Sequence, residues 1–194
     1  MISTLLFANL NQFAKITSND FELIEQKIVK RIVKKRRALF MEGETSRHLY
    51  FVEKGALRSY TVDKEGNENV VQLVLENHWV GDLYSFVTQV PGHINIHTIE
   101  DSEVLMLSHF DLEQLYEQIP ALERYFRQLF QRAYVNLQQR YNSALRDRAE
   151  DRYRQLIREH PQIAARIPLL YIASYLGITP ESLSRIRKQL YIKE

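Results

Sequence analysis

Short apolar segments separated by glycine turns dominate the first half of the chain. Five segments of strand length are rich in β-branched and aromatic residues: YFVEK, ALRSYTV, NVVQLVL, NIHTIE and EVLML. Gly43, Gly55, Gly66 and Gly81 lie before or between them. This spacing predicts a compact antiparallel β domain of the sandwich or barrel type over residues 38–107.

Helical spacing appears on both sides of these strands. Apolar residues at positions 21, 23, 24 and 28 predict a short helix over 19–27, and residues 109–118 predict another. Between the first helix and the β domain, VKRIVKKRR alternates β-branched residues with charges and predicts a strand. Its basic residues, with Lys27, fit the solvent-facing side of an edge strand. Nucleic-acid binding by the same residues is the alternative.

A longer apolar pattern begins at residue 121. Its members recur at steps of three or four: Leu122, Phe126, Leu129, Ala133, Leu137, Tyr141 and Ala144. They predict one amphipathic helix over 121–146, whose stripe extends over ~33 Å at ~1.5 Å per residue. A stripe of this length exceeds what one small β domain covers, so we expect a homodimer. The dimer contacts would be Leu122, Phe126, Leu129, Ala133 and Leu137. The alternative is that the helix packs entirely within its own chain.

The long helix is expected to end at Asp147, a residue type that caps a following helix, so a hinge is predicted there. The segments beyond it are short, basic and helical. We therefore divide the chain into residues 1–120, 121–146 and 147–194. The predicted fold class is α+β: an N-terminal antiparallel β-roll of jelly-roll type, a long helix, and a small C-terminal helical domain.

The most specific stretch is residues 172–190, IASYLGITPESLSRIRKQL, which predicts a helix-turn-helix. The inward-facing residues of its first helix are Ile172, Ala173 and Leu176. Gly177 provides a turn residue that tolerates positive φ, and Thr179 is a good N-cap for the second helix. Pro180 occupies the first helical position, where its missing N–H is not needed.

The second of these helices has two chemically different faces. Leu183, Ile186 and Leu190 are spaced to pack inward, which leaves three charged residues on the opposite side: Glu181, Arg185 and Lys188. Arg185 can donate two hydrogen bonds to guanine, Glu181 can accept from cytosine, and Lys188 with Arg187 can hold phosphates. A helical hairpin with a solvated charged face is the alternative.

Composition and charge narrow the choice of function. Residues 1–120 contain 12 Lys and Arg against 17 Asp and Glu, whereas residues 121–194 contain 14 against 7, so a polyanion partner is expected at the C-terminal part. There are no cysteines, which excludes disulfides, thiolate zinc sites and iron–sulfur clusters. We found no membrane-length apolar run, signal peptide or catalytic motif, and expect a cytoplasmic protein that is not an enzyme.

Taken together, these segments resemble the Crp/Fnr superfamily of bacterial transcription regulators over nearly the whole chain. The β-roll resemblance lies in LYFVEKGALRSYTVDKEGNENVVQLVLENHWVGDLYSF. TPESLSRIRK is similar to the family's recognition helix through Thr179, Glu181, Ser182 and Arg185. The resemblance implies a cyclic-nucleotide-binding-like sensor domain and a homodimeric regulator that binds double-stranded DNA. The resemblance also implies RNA polymerase and an unidentified small-molecule effector as partners. It does not imply binding to a membrane.

Departures from the family pattern concern the ligand and the DNA contacts. Members that bind cyclic nucleotides carry a Gly-Glu-Leu turn and, about ten residues later, an Arg for the phosphate. This chain has Gly81-Asp82-Leu83 and then PGHIN, in which His93 is the one candidate cation. We therefore expect no cyclic AMP binding. Pro180 replaces a contact residue of many members, and with the chain stopping at Glu194 we expect no β-hairpin wing.

The alternative function is a small-molecule sensor in which DNA binding is secondary, and its effector would use the same region of the β-roll. The candidate pocket residues are Gly81, Asp82, Leu83, Tyr84, Phe86 and His93. The alternative is that these residues only close a packed roll. Haem ligation by His78, His93 or His97 has no ligand spacing in its favour, so neither a metal nor a cofactor is expected.

Overall fold

The computed structural model describes residues 3–191 of the chain. The described part contains nine helices and eight strands, which in chain order are α1 Thr4–Leu10, α2 Ser18–Lys27, β1 Val29–Val33, β2 Ala38–Phe40, β3 His48–Lys54, β4 Leu57–Val62, β5 Glu68–Val74, β6 Trp79–Val80, α3 Leu83–Thr88, β7 Asn95–Thr98, β8 Ser102–Ser108, α4 His109–Gln118, α5 Pro120–Arg146, α6 Ala149–Glu159, α7 Pro161–Arg166, α8 Leu169–Leu176 and α9 Pro180–Tyr191.

The strands form two four-stranded antiparallel sheets. Sheet A has the order β1-β8-β3-β6, and sheet B has the order β2-β7-β4-β5. The basic strand β1 is an edge of sheet A, and four of its five residues are exposed. Exposed charges along such an edge discourage pairing with another chain.

Most apolar residues of the β-roll enter two cores, and a few others, among them Ala56 and Ile99, join a third cluster with the C-terminal helices. Val52 and Val104 from sheet A meet Leu57 and Ile96 from sheet B in the interior of the roll, and all four are fully buried. Successive side chains of a strand point to opposite faces, so the neighbouring Phe51 enters a second core outside sheet A. The second core also contains apolar residues of α1, α2, α4 and the first turns of α5.

Two short helices were not predicted from the sequence pattern. Helix α1 has seven residues and α3 has six, which is too few turns for a helical period to stand out. Both are instead fixed by caps and burial. The side chain of Ser3 accepts a hydrogen bond from the Leu6 backbone N–H, and that of Asp82 accepts one from the Ser85 backbone N–H.

The long helix α5 begins at Pro120 and ends at Arg146, close to the predicted bounds. Helices α6 to α9 pack together around a third apolar cluster, in which Tyr153, Ile163 and Leu183 meet Ala56 and Ile99 of the β-roll. The predicted α+β fold class is therefore confirmed. No described helix combines the length and apolar character needed to cross a bilayer. The expectation about a missing wing concerns the end of the chain, outside the described residues.

Candidate nucleic-acid interface

The C-terminal helices α8 and α9 form a helix-turn-helix with the predicted local geometry. Gly177 ends α8 at φ +67°, in the left-handed region that glycine adopts without strain. The Thr179 hydroxyl accepts a hydrogen bond from the Ser182 backbone N–H at 3.2 Å and so caps α9. Ala173 and Leu183 are fully buried between the two helices. The small side chain of Ala173 permits this close approach.

The outer side of α9 presents the charged residues that the sequence placed together. Glu181, Arg185 and Lys188 are exposed, and we call them the recognition face. A hydrogen bond from its backbone, one from Thr179 and the charge of Arg185 hold the pKa of the Glu181 carboxyl below its usual value. This carboxylate therefore remains an acceptor at neutral pH.

The other three predicted DNA-contact residues are either bonded within the chain or partly buried. Thr179 and Ser182 bond each other through their hydroxyl groups, at 3.1 Å, as part of the cap of α9. Arg187 is half-buried at the side of the helix. The structure thus gathers all six predicted residues on α9 and its cap, with Arg185 and Lys188 the most accessible cations of that set.

Helix α8 is docked on the β-roll at the edge strand of sheet B. The Ser174 hydroxyl donates to the Glu68 backbone C=O and accepts from the Val70 backbone N–H, both at 2.9 Å. These two groups lie on β5, whose outer edge has no neighbouring strand in sheet B. One serine thus satisfies strand groups that would otherwise face solvent.

A second contact between the C-terminal helices and the β-roll is an ion-pair network at the end of α7. The Arg166 guanidinium donates to both carboxylate oxygens of Glu76 at 2.8 Å and to both of Glu100, at 2.7 and 3.2 Å. All three side chains are about one-third exposed or less. Hydrogen bonding by Arg166 lowers the pKa of the Glu76 carboxyl to about 2 and raises the pKa of Arg166. This network fixes α7 on the β-roll.

This network predicts an acid dependence of interdomain docking. The folded-state pKa of Glu76 is depressed, so its stabilising contribution is complete above about 4.5 and is lost as pH falls toward about 2. We expect Arg166→Gln to lower stability by about 1–2 kcal/mol at pH 7 and by less near pH 2, because the wild type has then lost most of the interaction. Chemical denaturation across this pH range measures the difference. A constant difference between the two proteins would contradict the assignment.

Arg58 also links the β-roll to the C-terminal helices, through aromatic side chains. Its guanidinium lies 4.1 Å from the ring centroids of both Tyr60 on β4 and Tyr171 on α8. It also pairs with Glu68 at 2.6 Å, and its own side chain is 7% exposed. Desolvation, followed by the charge of Arg58, lowers the pKa of the neighbouring His97, whose Nδ1 lies 2.7 Å from the Tyr60 hydroxyl. The Arg58 guanidinium stays charged in this buried position because its hydrogen bonds and the two aromatic faces replace the water that would otherwise solvate it.

The structure corrects the expected contacts of the long helix. Leu122 and Phe126 were expected to face a second subunit, but they are 0% and 1% exposed within this chain. They pack into the core outside sheet A, against Trp79 among others, and Leu129 lies at the border of the same core. The reason is that α5 begins directly after α4 and crosses the apolar outer face of the roll. Ala133 and Leu137 lie beyond this core and are exposed.

The middle of α5 has no covering element in the described structure, since residues 131–139 are all exposed. Four large apolar side chains there and in the following turns lie at steps of three or four residues. They are Tyr134, Leu137, Tyr141 and Leu145, exposed by 67%, 55%, 63% and 72%, and we call them the exposed stripe. A regular apolar face of this kind is typical of a helix that packs against another chain.

Asp147 lies at the break between α5 and α6, where a hinge is predicted. Its carboxylate accepts hydrogen bonds from the Ser143 hydroxyl at 2.6 Å and from Arg146 Nε at 2.8 Å. Its backbone C=O accepts from Arg152 at 2.7 Å. A cleft of about 510 Å³ separates the end of α5 from α6 and α8 beside this residue. The break is thus confined to two residues, and the hinge motion itself stays a prediction.

The predicted effector-pocket residues do not converge. Both oxygens of the buried Asp82 carboxylate are engaged, one by the Ser85 backbone N–H and the other by the His93 backbone N–H, each at 2.9 Å. Leu83, Tyr84 and His93 are exposed, with the last two rings stacked at 5.2 Å. Phe86 enters the core outside sheet A. We attribute this to α3, whose residues point in different directions around the helix.

The backbone is closely packed at Gly81, the remaining predicted pocket residue, and at the neighbouring Gly92. A Cβ on Gly92 would lie 2.4 Å from an Asp82 oxygen and 2.8 Å from the Phe40 ring, and one on Gly81 would lie 2.6 Å from Leu49. These distances leave no space for a larger residue at either glycine. Among the described residues, no group of three or more His, Asp or Glu side chains could hold a metal ion.

The contacts that dock the helix-turn-helix were missed at the sequence level. Arg166 and Arg58 are separated from their acidic or aromatic partners by up to 113 positions along the chain. Nothing in the local sequence distinguishes these arginines from the many others in this chain.

Comparison with known proteins supports the architecture. Residues 30–119 match the family model described as the cyclic nucleotide-binding domain. The structure of FixK2 from Bradyrhizobium japonicum superimposes with a TM-score of 0.77, at 19% sequence identity, and covers 86% of this chain and 85% of that one. At this identity the likeness establishes the fold.

Two curated relatives are similar in sequence. The anaerobic regulatory protein of Bacillus subtilis (strain 168) is 27% identical over 99 residues, which are 51% of this chain. The fumarate and nitrate reduction regulatory protein of Escherichia coli (strain K12) is 25% identical over 170 residues, or 81% of this chain. The chain spans 42% and 66% of the lengths of these two proteins.

Proposed function

We propose that the protein is a homodimeric transcription regulator of the Crp/Fnr type that binds double-stranded DNA through α9. Its similarity in sequence and in fold to regulators of this kind supports the proposal. The observation that carries the proposal is the exposed recognition face on a rigidly docked helix-turn-helix. Transcription takes place in the cytoplasm of bacteria, so we expect the protein to work there. We also propose RNA polymerase and a small-molecule effector as further partners.

The chemistry of the recognition face supports base reading rather than backbone binding alone. Arg185 can donate two parallel hydrogen bonds to the N7 and O6 atoms of guanine in the major groove. Glu181, which remains ionised, can accept from the amino group of cytosine. Lys188 lies one turn further along the helix. It suits a phosphate because an ammonium group binds an anion as a point charge and does not require the planar geometry of a guanidinium.

Dimerisation supports the same proposal through geometry. Two helix-turn-helix units bind one face of DNA when their recognition helices are separated by about one helical turn, roughly 34 Å. The exposed stripe on α5 offers a self-complementary surface for a second copy of this chain. Since α6 follows α5 after only Asp147 and Arg148, pairing of the two long helices would set the distance between the recognition helices.

The proposal is tested by selecting DNA from a random pool with the purified full chain. We expect a palindromic or pseudo-palindromic sequence with half-sites about 10 base pairs apart, bound by a dimer. Sedimentation with and without the selected duplex gives the stoichiometry. A selected sequence without two-fold symmetry, or a monomer at tens of micromolar, would contradict a homodimeric regulator.

We expect cyclic AMP to bind weakly or not at all. In the segment that follows Asp82, no guanidinium is available for a cyclic phosphate, and the Asp82 carboxylate is already bonded to two backbone N–H groups. Isothermal calorimetry with the wild-type protein measures this directly. Binding at micromolar concentration or tighter would show that another cation serves the phosphate.

A further inference from the structure

One histidine lies beside the contact that docks α8 on the β-roll. His97 is half-buried on β7, directly opposite Arg58 of β4 in the antiparallel register of sheet B. Both side chains contact Tyr60, whose ring faces the Arg58 guanidinium and whose hydroxyl lies 2.7 Å from His97 Nδ1. The same guanidinium lies 4.1 Å from the ring centroid of Tyr171 on α8. Arg58 thus connects the histidine to α8.

The charges around His97 balance only while its ring is neutral. Arg58 pairs with Glu68 of β5 at 2.6 Å, so these two side chains together carry no net charge. Burial raises the pKa of Tyr60, which stays neutral, and the residue opposite His97 on β2 is the uncharged Ala38. Burial lowers the pKa of His97 most, the charge of Arg58 lowers it further, and Glu68 opposes both effects. A proton on the ring would therefore leave one positive charge unbalanced.

Protonation of His97 would weaken both of its contacts. Like charges that lie directly opposite each other on antiparallel strands destabilise the pair, and the charge opposite His97 is Arg58. A charged imidazole donates from both nitrogens, so Nδ1 can no longer accept from the Tyr60 hydroxyl. Arg58 reduces the repulsion if it moves outward with Glu68, whose side chain is the more exposed of the two. That movement takes the guanidinium away from Tyr171 and weakens the attachment of α8.

From this arrangement we propose that His97 is a proton-operated latch, whose protonation loosens α8 from the β-roll and frees the helix-turn-helix from its fixed position. Because the pKa of His97 in the docked state lies below the ordinary value of 6.5, docking is fully stabilised above that pH and weakens as pH falls below it. The Glu76 carboxyl, with a pKa of about 2, stays ionised in this range, so its ion pair with Arg166 does not respond. The consequence for DNA rests on the proposed function; the movement of α8 does not.

The backbone N–H of Val70 reports this docking without DNA. It donates to the Ser174 hydroxyl of α8 at 2.9 Å, so its exchange with solvent requires α8 to move away. Hydrogen exchange followed by NMR on the full chain, corrected for the intrinsic exchange rate, gives a protection factor at each pH. Between about pH 7.5 and about pH 5.5 we expect the factor to fall by about fivefold or more. The midpoint of this fall should coincide with the titration of the His97 ring protons in the same protein.

Three variants identify the group that responds. His97→Gln is neutral at every pH and keeps an amide oxygen that can accept from the Tyr60 hydroxyl, so Val70 protection should be the same at both pH values. Arg58→Gln removes the repelling charge, which should raise the pKa of His97 and weaken docking at both pH values. The matched control, His160→Gln, removes an exposed histidine of the C-terminal helices and should keep the wild-type pH dependence. Far-ultraviolet circular dichroism checks the fold of each variant.

Constant Val70 protection in the wild type would overturn the inference, as would a midpoint apart from the His97 titration or an equal loss in His97→Gln. The first two results come from the wild type alone, so the test does not depend on whether a variant folds. On the selected palindrome, the wild type should lose about fivefold or more in affinity at the lower pH relative to His97→Gln, because its recognition helices are no longer held at one separation. Failure of the wild-type chain to select any DNA would overturn the proposed function and leave the latch intact.

Discussion

Replacing Arg185 with Ala should weaken binding to the selected palindrome by about 1–3 kcal/mol per half-site, or roughly 5- to 150-fold. The side chain is exposed on α9 and makes no ion pair in the described structure, so its removal should leave the fold unchanged. The lost interaction is a bidentate one with a single base. The preference at one position of each half-site should therefore relax, while other positions keep theirs.

Lys188→Ala is the matched control, because it removes one positive charge from the same exposed face of α9. We expect it to weaken specific and random duplexes alike and to reduce the salt dependence by about one contact. Fluorescence anisotropy on both duplexes at several salt concentrations separates the two variants. If Arg185→Ala keeps full affinity and base preference in a folded dimer, α9 is a solvated helix rather than a recognition helix.

Charge placed on the exposed stripe should abolish the dimer and, with it, most of the DNA affinity. In the variant Leu137→Glu with Tyr141→Glu, pairing of two α5 helices would bury four carboxylates, at a cost of several kcal/mol for each unpaired charge. The monomer keeps its fold, since both side chains are more than half exposed in the single chain. Loss of the second binding unit should lower affinity for the palindrome by about 10²- to 10⁴-fold.

The control for this variant is Gln139→Glu with Asn142→Glu, which adds the same charge to exposed positions of α5 away from the stripe. Sedimentation velocity should find this control dimeric and the stripe variant monomeric, with identical far-ultraviolet circular dichroism. A dimeric stripe variant would show that the second copy packs elsewhere. Phe126→Glu is unsuitable as a test, because Phe126 lies in the core of its own chain.

The sequence alone predicted the elements whose signals are local. The period of α5, the glycine turns of the roll and the cap of α9 each depend on residues within a few positions of one another. Local spacing also placed Arg185 and Lys188 opposite Leu183, because a helix repeats every 3.6 residues whatever surrounds it. For this reason the recognition face could be predicted before the fold was known.

Tertiary structure alone decided which apolar stripe is buried and which is free. Leu122 and Phe126 have the same periodic signal as Leu137 and Tyr141, yet the first pair packs on sheet A and the second pair faces solvent. Likewise, Arg166 and Ser174 acquire their roles from partners far away in the chain. Periodicity identifies an apolar face, but only the position of the other elements determines what covers it, because burial depends on contacts distant in sequence.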